Sequence, residues 1–168
     1  DDQVTDYKLQ NQFATQWSDE ARGRGIAYIV LWLYLKNDVY TNGLPNVTVL
    51  VKGNKVADVT DLSADFRYSS NPADCVYDFM TSKRYGMGIP AAQMNTASFN
   101  AASVVCDTSV TVTLSDSTTV TLSNKYECHG WLDSSADPKT NLERLLSSCQ
   151  GRIVRETGEY HLLIRKDM

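Results

Sequence analysis

Asn71-Pro72-Ala73-Asp74-Cys75-Val76-Tyr77-Asp78-Phe79-Met80-Thr81-Ser82-Lys83-Arg84-Tyr85-Gly86-Met87-Gly88-Ile89-Pro90 is the stretch on which the reading of this chain turns. Asn71 is of the type that accepts hydrogen bonds from the first free helical N–H groups, and Pro72 has the φ wanted at the first helical position. Val76, Phe79, Met80 and Lys83 recur at helical spacing, which predicts a helix over about 72–82 with an apolar stripe and a solvated end. Gly86, Gly88 and Pro90 terminate it, because Gly tolerates positive φ and Pro cannot continue the hydrogen-bond ladder.

Outward from this helix, residues 1–24 are polar and weakly patterned and read as an irregular arm or linker. The run from Ile26 to Leu35 alternates aliphatic odd positions with Tyr28, Val30, Trp32 and Tyr34, and predicts a strand covered on both faces. Val47–Lys52, Gly53-Asn54 and Lys55–Val59 read as a tight hairpin, with Gly-Asn supplying the turn. Thr96 is placed to cap a second helix over 97–107, with Phe99, Ala102 and Cys106 on one face. Val110, Val112 and Leu114, then Val120 and Leu122, alternate with threonines across a turn at Ser115–Thr118. That is the pattern of a half-buried antiparallel hairpin, its second arm extended by Tyr126–Leu132. Asp137 and Pro138 open a third helix carrying Leu142, Leu145, Leu146 and Cys149, which Gly151 is placed to close in the left-handed conformation. Arg152–Arg155, Thr157-Gly158 and Tyr160–Ile164 form a last hairpin. The expected fold is therefore α+β: mainly antiparallel sheet made of hairpins, with about three short helices, and residues 25–168 as a single module.

At 168 residues the chain has a one-domain length, and such a domain buries roughly two thirds of its unfolded surface. Sixteen basic residues against twenty acidic give a net charge of −4, and no basic block is present. This argues against a nucleic-acid partner, which requires clustered cations to displace phosphate counterions. The longest apolar run, ten residues, is about half of a membrane span. No signal peptide is visible.

Four cysteines stand at 75, 106, 128 and 149, separated by 31, 22 and 21 residues, with no Cys-x-x-Cys pair and only two histidines. Neither a metal nor a cofactor is expected. Cys75, Cys106 and Cys149 fall on or beside apolar helix faces, where buried free thiols are the favoured reading over disulfides. The best enzymatic arrangement available is a thiol nucleophile, Cys128 or Cys149, with His129 or His161 and Asp133. His129 follows Cys128 directly, so on a strand the two would point to opposite faces. The carboxylates Asp58, Asp61, Asp65, Asp133 and Asp137 sit at turns and caps, where Asp is favoured for its own backbone hydrogen bonds. Gly86-Met87-Gly88 lacks the Lys-Ser/Thr of a phosphate loop. No catalytic residue is assigned.

The 71–90 segment is similar to the Asn-Pro, Tyr-Asp, Arg-Tyr-Gly-x-Gly-Ile-Pro stretch of J-type central hub proteins. These are the host-attachment proteins at the tail tip of phages with long non-contractile tails and of related prophages. The similarity continues through 98–107, 126–133 and 141–146, and upstream through Gly25–Tyr28 and Leu44–Val47. Its signature positions here are Asn71, Pro72, Tyr77, Asp78, Arg84, Tyr85, Gly86, Gly88, Pro90, Phe99, Ala102, Cys106, Cys128 and Gly130. Two departures are the Thr- and Ser-rich hairpin around 108–125 and Cys128-His129 in place of a Cys-Asn pair. The resemblance implies a non-enzymatic structural and assembly module, part of a longer protein that forms a symmetric trimer closing the far end of the tail tube. Neither end of the chain carries natural punctuation, in keeping with an excised piece. It further implies partners among tail-tip, tail-tube, distal-tail and tape-measure proteins, and a place at the virion tail tip after synthesis in the bacterial cytoplasm. Tyr28, Trp32 and Tyr34, the arm before them and the Thr-rich hairpin are the candidate contact surfaces. The alternatives are a cysteine-dependent cell-wall or peptide hydrolase, and a carbohydrate-binding module using Trp17, Trp32 and Trp131.

Overall fold

A computed structural model describes residues 6–18, 20–21, 28–31, 33, 43 and 46–165. The chain divides into two units, 1–52 and 53–168. The expected limit between arm and module, at residues 24 and 25, lies outside the described residues, as do Trp32 and Tyr34.

In the first unit a short helix, α1 (Tyr7–Gln12), replaces part of the expected irregular arm. Asp6 makes it possible: its carboxylate accepts from the N–H groups of Lys8 at 2.9 Å and Leu9 at 3.0 Å. The helix buries none of its residues, so it carries no apolar stripe for periodicity to detect. The expected 26–35 strand lies partly outside the described residues. Residues 28–31 and 33, which are described, are not in a strand.

The second unit starts with β1 (Lys55–Val56), paired antiparallel with β2 (Arg67–Tyr68). This corrects the expected 47–59 hairpin. Residues 47–52 form no strand, and neither Gly53 nor Asn54 adopts a positive φ. The chain reverses later, through two turns initiated by aspartates. Asp58 accepts from the Thr60 N–H at 2.9 Å, and Asp61 accepts from the Ser63 N–H at 3.1 Å.

Helix α2 (Pro72–Thr81) follows as expected, capped by Asn71 with Pro72 in its first turn. After a 3₁₀ turn at Ala91–Gln93 comes α3 (Thr96–Cys106), whose cap is Asn95 and not Thr96. Asn95 accepts from the Ser98 N–H and also donates to Glu159, and this second tie fixes the cap one residue earlier than the sequence suggested. Strands β3 (Val110–Thr113) and β4 (Thr119–Leu122) form the expected antiparallel hairpin, with Val112 opposite Val120. Yet Val112 and Val120 are 41% exposed and Leu122 is 48% exposed, so the hairpin is not half-buried. Nor does 126–132 lengthen β4. Its backbone is engaged elsewhere: the Lys125 and Tyr126 N–H groups bond the Cys106 carbonyl, and the Cys128 N–H bonds the Ser70 carbonyl.

Helix α4 (Pro138–Ser147) is capped by Asp137 as expected. Gln150, with φ of 52°, makes the left-handed step expected of Gly151, which instead opens β5 (Gly151–Glu156). A Cβ on residue 151 would lie 2.9 Å from the Cys149 sulfur, so glycine serves close approach there. Strand β6 (Glu159–Ile164) returns through Thr157-Gly158, both at positive φ as a two-residue primed turn requires.

The core joins these pieces. Val76, Tyr77 and Met80 of α2, Phe99 and Ala102 of α3, and Leu162 of β6 are buried together, with Leu142, Leu145 and Leu146 of α4 packed against them. The β5–β6 hairpin is tied to the start of α3: Asn95 N–H bonds the Tyr160 carbonyl, and Leu162 N–H bonds the Ser98 hydroxyl. The fold is α+β, with three two-stranded antiparallel sheets among the described residues. Among the described residues no helix is long and apolar enough to cross a membrane.

Candidate functional site

Helix α2 carries the apolar face the sequence predicts: Val76, Phe79 and Met80 are buried and Lys83 is exposed. Its other side holds a polar network that periodicity did not reveal. Asp74, fully buried, accepts from the Val59 N–H at 3.0 Å, the Ser69 hydroxyl at 2.6 Å and the Arg67 guanidinium at 3.4 Å. Arg67 also meets Asp58 at 2.9 Å. Burial pushes the Asp74 carboxyl above its ordinary value, opposed by these donors. The more exposed Asp58 is held below its own by the Thr60 hydroxyl and by Arg67. The available signal was an Asp in the first turn after Asn-Pro, where a carboxylate also complements the helix dipole.

Asp78 and Tyr85 form a second polar contact, at the helix exit. The Tyr85 hydroxyl donates to the Asp78 carboxylate and accepts from the Asn54 amide at 2.6 Å. Tyr85 thus anchors the turn on a carboxylate, while Arg84 is exposed and bonds the Ser82 hydroxyl through its N–H. Gly86 turns the chain so closely that a Cβ would lie 1.8 Å from the Phe79 carbonyl oxygen. Met87, Gly88 and Ile89 donate to the carbonyls of Phe79, Ser82 and Met80, satisfying helix-end acceptors. Gly88 has a φ of 65°.

The remaining signature residues also build the fold. Asn71 caps α2 and ties it to α3; Pro72 is buried; Tyr77 packs edge-to-face on Phe99 with ring centroids 5.4 Å apart. Phe99, Ala102 and Cys106 lie in the core. Pro90 is exposed at the edge of the 3₁₀ turn, and Gly130 has open space around it.

All four cysteines are free thiols; Cys106 and Cys149 are buried, and Cys75 and Cys128 are partly so. They meet in two pairs. Cys75 and Cys128 share a hydrogen bond, as do Cys106 and Cys149. In the first pair the contact with the Cys75 side chain holds Cys128 down to about 6, helped by the Ser148 hydroxyl and the nearby His129. The same sharing pushes Cys75 up.

The imidazole and carboxylate considered for catalysis each hydrogen-bond elsewhere than to a thiol, although His129 lies near enough to Cys128 to help lower it. His129 is exposed and faces Glu127 at 3.0 Å; the Asp133 carboxylate accepts from the Ser135 N–H and hydroxyl; Cys149 donates to the Leu146 carbonyl. His161 is partly buried in β6, and its Nε2 is enclosed and unpaired among the described residues. Of the turn aspartates, Asp61 holds Ser63 and Asp137 caps α4. An open hollow of about 550 Å³ between Val59–Leu62 and the start of α3 presents one carboxylate, that same Asp61. Among the described residues no group of His, Cys, Asp or Glu is arranged to hold a metal.

Of the candidate contact residues, Tyr28 packs edge-on against Trp17 at 5.6 Å and stays 38% exposed. Trp131 is 77% exposed with the Arg144 guanidinium over its ring. Compared with known protein families and with curated proteins, the chain matches none.

Proposed function

We propose that the chain is a structural and assembly module of a phage or prophage tail-tip hub protein, acting by rigid placement and not by catalysis. The resemblance of the 71–90 segment and its downstream continuations is the starting point. The observation that carries the reading is the use made of those signature side chains. Asn71 caps and ties helices; Tyr77, Phe99, Ala102 and Cys106 fill the core; Asp78, Tyr85 and Gly86 close the helix exit. A signature spent on caps, turns and core is one that preserves a shape.

A placed shape works through its surface. Val112, Leu114, Val120 and Leu122, between 41% and 48% exposed, line one side of the β3–β4 hairpin. Thr111, Thr113, Thr119 and Thr121 line the other. A two-stranded hairpin with an uncovered apolar face gains stability when a neighbour covers it. In a ring of three copies each such contact is repeated by symmetry, which turns modest pairwise affinity into firm closure. The partners of this reading are the neighbouring hub copies and the tail-tube, distal-tail and tape-measure proteins, at the virion tail tip.

Gene order around the full reading frame tests the proposal. Adjacent tape-measure and small tail-assembly genes are expected; an isolated metabolic neighbourhood overturns it. A second test replaces each cysteine in turn by alanine and assays cell-wall and peptide substrates. Turnover that disappears with one of these substitutions would establish the hydrolase instead.

A further inference from the structure

Cys75 and Cys128 come from distant parts of the sequence and are held against one short segment. The Cys75 thiol donates to the Ser69 carbonyl at 3.7 Å, and the Cys128 N–H donates to the next carbonyl, that of Ser70, at 2.7 Å. Upstream of Cys128, the Lys125 and Tyr126 N–H groups are fixed on the Cys106 carbonyl, so the strandless segment is anchored at the end of α3 just before it reaches Ser70. Both residues of the pair are partly exposed, whereas Cys106 and Cys149 are wholly enclosed. One pair therefore meets solvent and the other does not.

We propose that Cys75 and Cys128 are a reversible thiol–disulfide site that fastens the 123–136 segment to α2 when the surroundings are oxidising. The oxidant is a small soluble disulfide such as oxidised glutathione. The Cys128 thiolate attacks one sulfur of that disulfide and expels its other half as a thiolate, leaving a mixed disulfide on Cys128. Cys75, losing its proton to solvent, then attacks the Cys128 sulfur and expels the second half. Two protein thiols are oxidised by two electrons in all, and one small disulfide is reduced to two thiols. Cys128 is the entry point because its thiol is the one held low, while the Cys75 thiol proton is engaged by the Ser69 carbonyl. The new bond closes a span of 53 residues, from 75 to 128, and adds a covalent tie to a segment held by backbone hydrogen bonds to Cys106 and Ser70 and by the Asn141 side chain at Asp133.

The test treats the reduced, folded chain with oxidised glutathione, blocks remaining thiols, and maps peptides by mass spectrometry without reduction. The expected product is a linked Cys75–Cys128 peptide lacking two hydrogens, released again by reductant. Before oxidation, iodoacetamide should label Cys128 more than about tenfold faster than Cys106 or Cys149. In a Cys75→Ala variant the reaction should stop at glutathione attached to Cys128. A stable glutathione adduct on wild-type Cys128, a link from Cys128 to Cys106 or Cys149, or both thiols recovered unmodified would each overturn the proposal. The wild-type peptide map decides the matter even if the variant does not fold.

Discussion

The Asn71 side-chain amide lies 3.1 Å from the Ser103 carbonyl oxygen and 2.9 Å from the Ser103 hydroxyl, while its own oxygen accepts from the Ala73 N–H at 2.9 Å. One buried side chain therefore caps α2 and fastens it to α3. Asn71→Asp keeps the cap oxygen but turns a donor into a charged acceptor facing a carbonyl. We expect it to destabilise by about 3 kcal/mol or more, because a buried unpaired charge costs far more than a missing cap. Ser103→Ala removes only the hydroxyl and should cost about 1 kcal/mol. Urea unfolding at neutral pH measures both, and equal losses would refute the two-helix role.

Gly86 and Gly130 belong to the same signature but differ in surroundings. A Cβ at residue 86 meets the Phe79 carbonyl oxygen at 1.8 Å, whereas residue 130 has nothing within 4 Å. Gly86→Ala should destabilise by about 2 kcal/mol or more, since backbone at the helix exit must shift. Gly130→Ala should stay within about 0.5 kcal/mol of the parent. Thermal melts of the two variants side by side check the contrast.

These contrasts bear on what was readable in advance. The helices α2 and α4 and the β5–β6 hairpin were legible because their signals are local: Asn-Pro or Asp-Pro at the start, apolar spacing of three and four, Thr-Gly between alternating strands. The 47–59 region misled because its alternation and Gly-Asn are equally local. The outcome was decided by Arg67, which binds Asp58 and Asp74 and draws β2 onto β1. Alternation in 110–122 gave the antiparallel hairpin correctly but not the burial, since a period of two says that the faces differ and not that either is covered. The pairing of Cys75 with Cys128 was invisible, because spacings of 31, 22 and 21 carry no information on which sulfurs meet. Asp74 carries no local signal of its network for the same reason: its partners lie at 59, 67 and 69, outside its own helix.

Asp78 supplies a pH dependence with a definite sign. Burial raises its carboxyl above the ordinary 3.8, outweighing the Tyr85 hydrogen bond. The folded state thus holds the proton more tightly than the unfolded chain, and stability from this group falls as pH rises from about 3.8 through the raised value. In Asp78→Asn that slope should vanish, while the amide oxygen still accepts from Tyr85. The difference in urea midpoint between the native chain and the variant, followed from acid to neutral pH, should shift steadily in favour of the variant. A difference that is flat or moves the other way would exclude a raised Asp78.

Tyr85 extends the same linkage to alkaline pH. Its phenol is pushed up to about 12, first by burial and then by donating to Asp78. Since the unfolded phenol titrates near 10, the folded state retains its proton longer, and the stabilising contribution is lost as pH rises between the two values. Ultraviolet titration of the folded chain should show a late-ionising tyrosine that is missing in Tyr85→Phe.

The β3–β4 hairpin gives the prediction that separates fold from assembly. Val112 and Val120 face each other across the strands, and each is 41% exposed, so their side chains contribute little to the folded unit. Replacing both by Lys should change unfolding free energy by less than about 1 kcal/mol, in line with exposed positions elsewhere. The same change places two cations on the apolar face, where a covering neighbour would have to desolvate them at a cost of several kcal/mol. On the proposed tail-tip reading, incorporation of the full-length protein into tails should therefore collapse in the double variant, while Thr111→Lys on the opposite side should be tolerated. The contrast requires that the apolar side alone meets the neighbour. Equal incorporation of both variants would show that the hairpin stays in solvent after assembly.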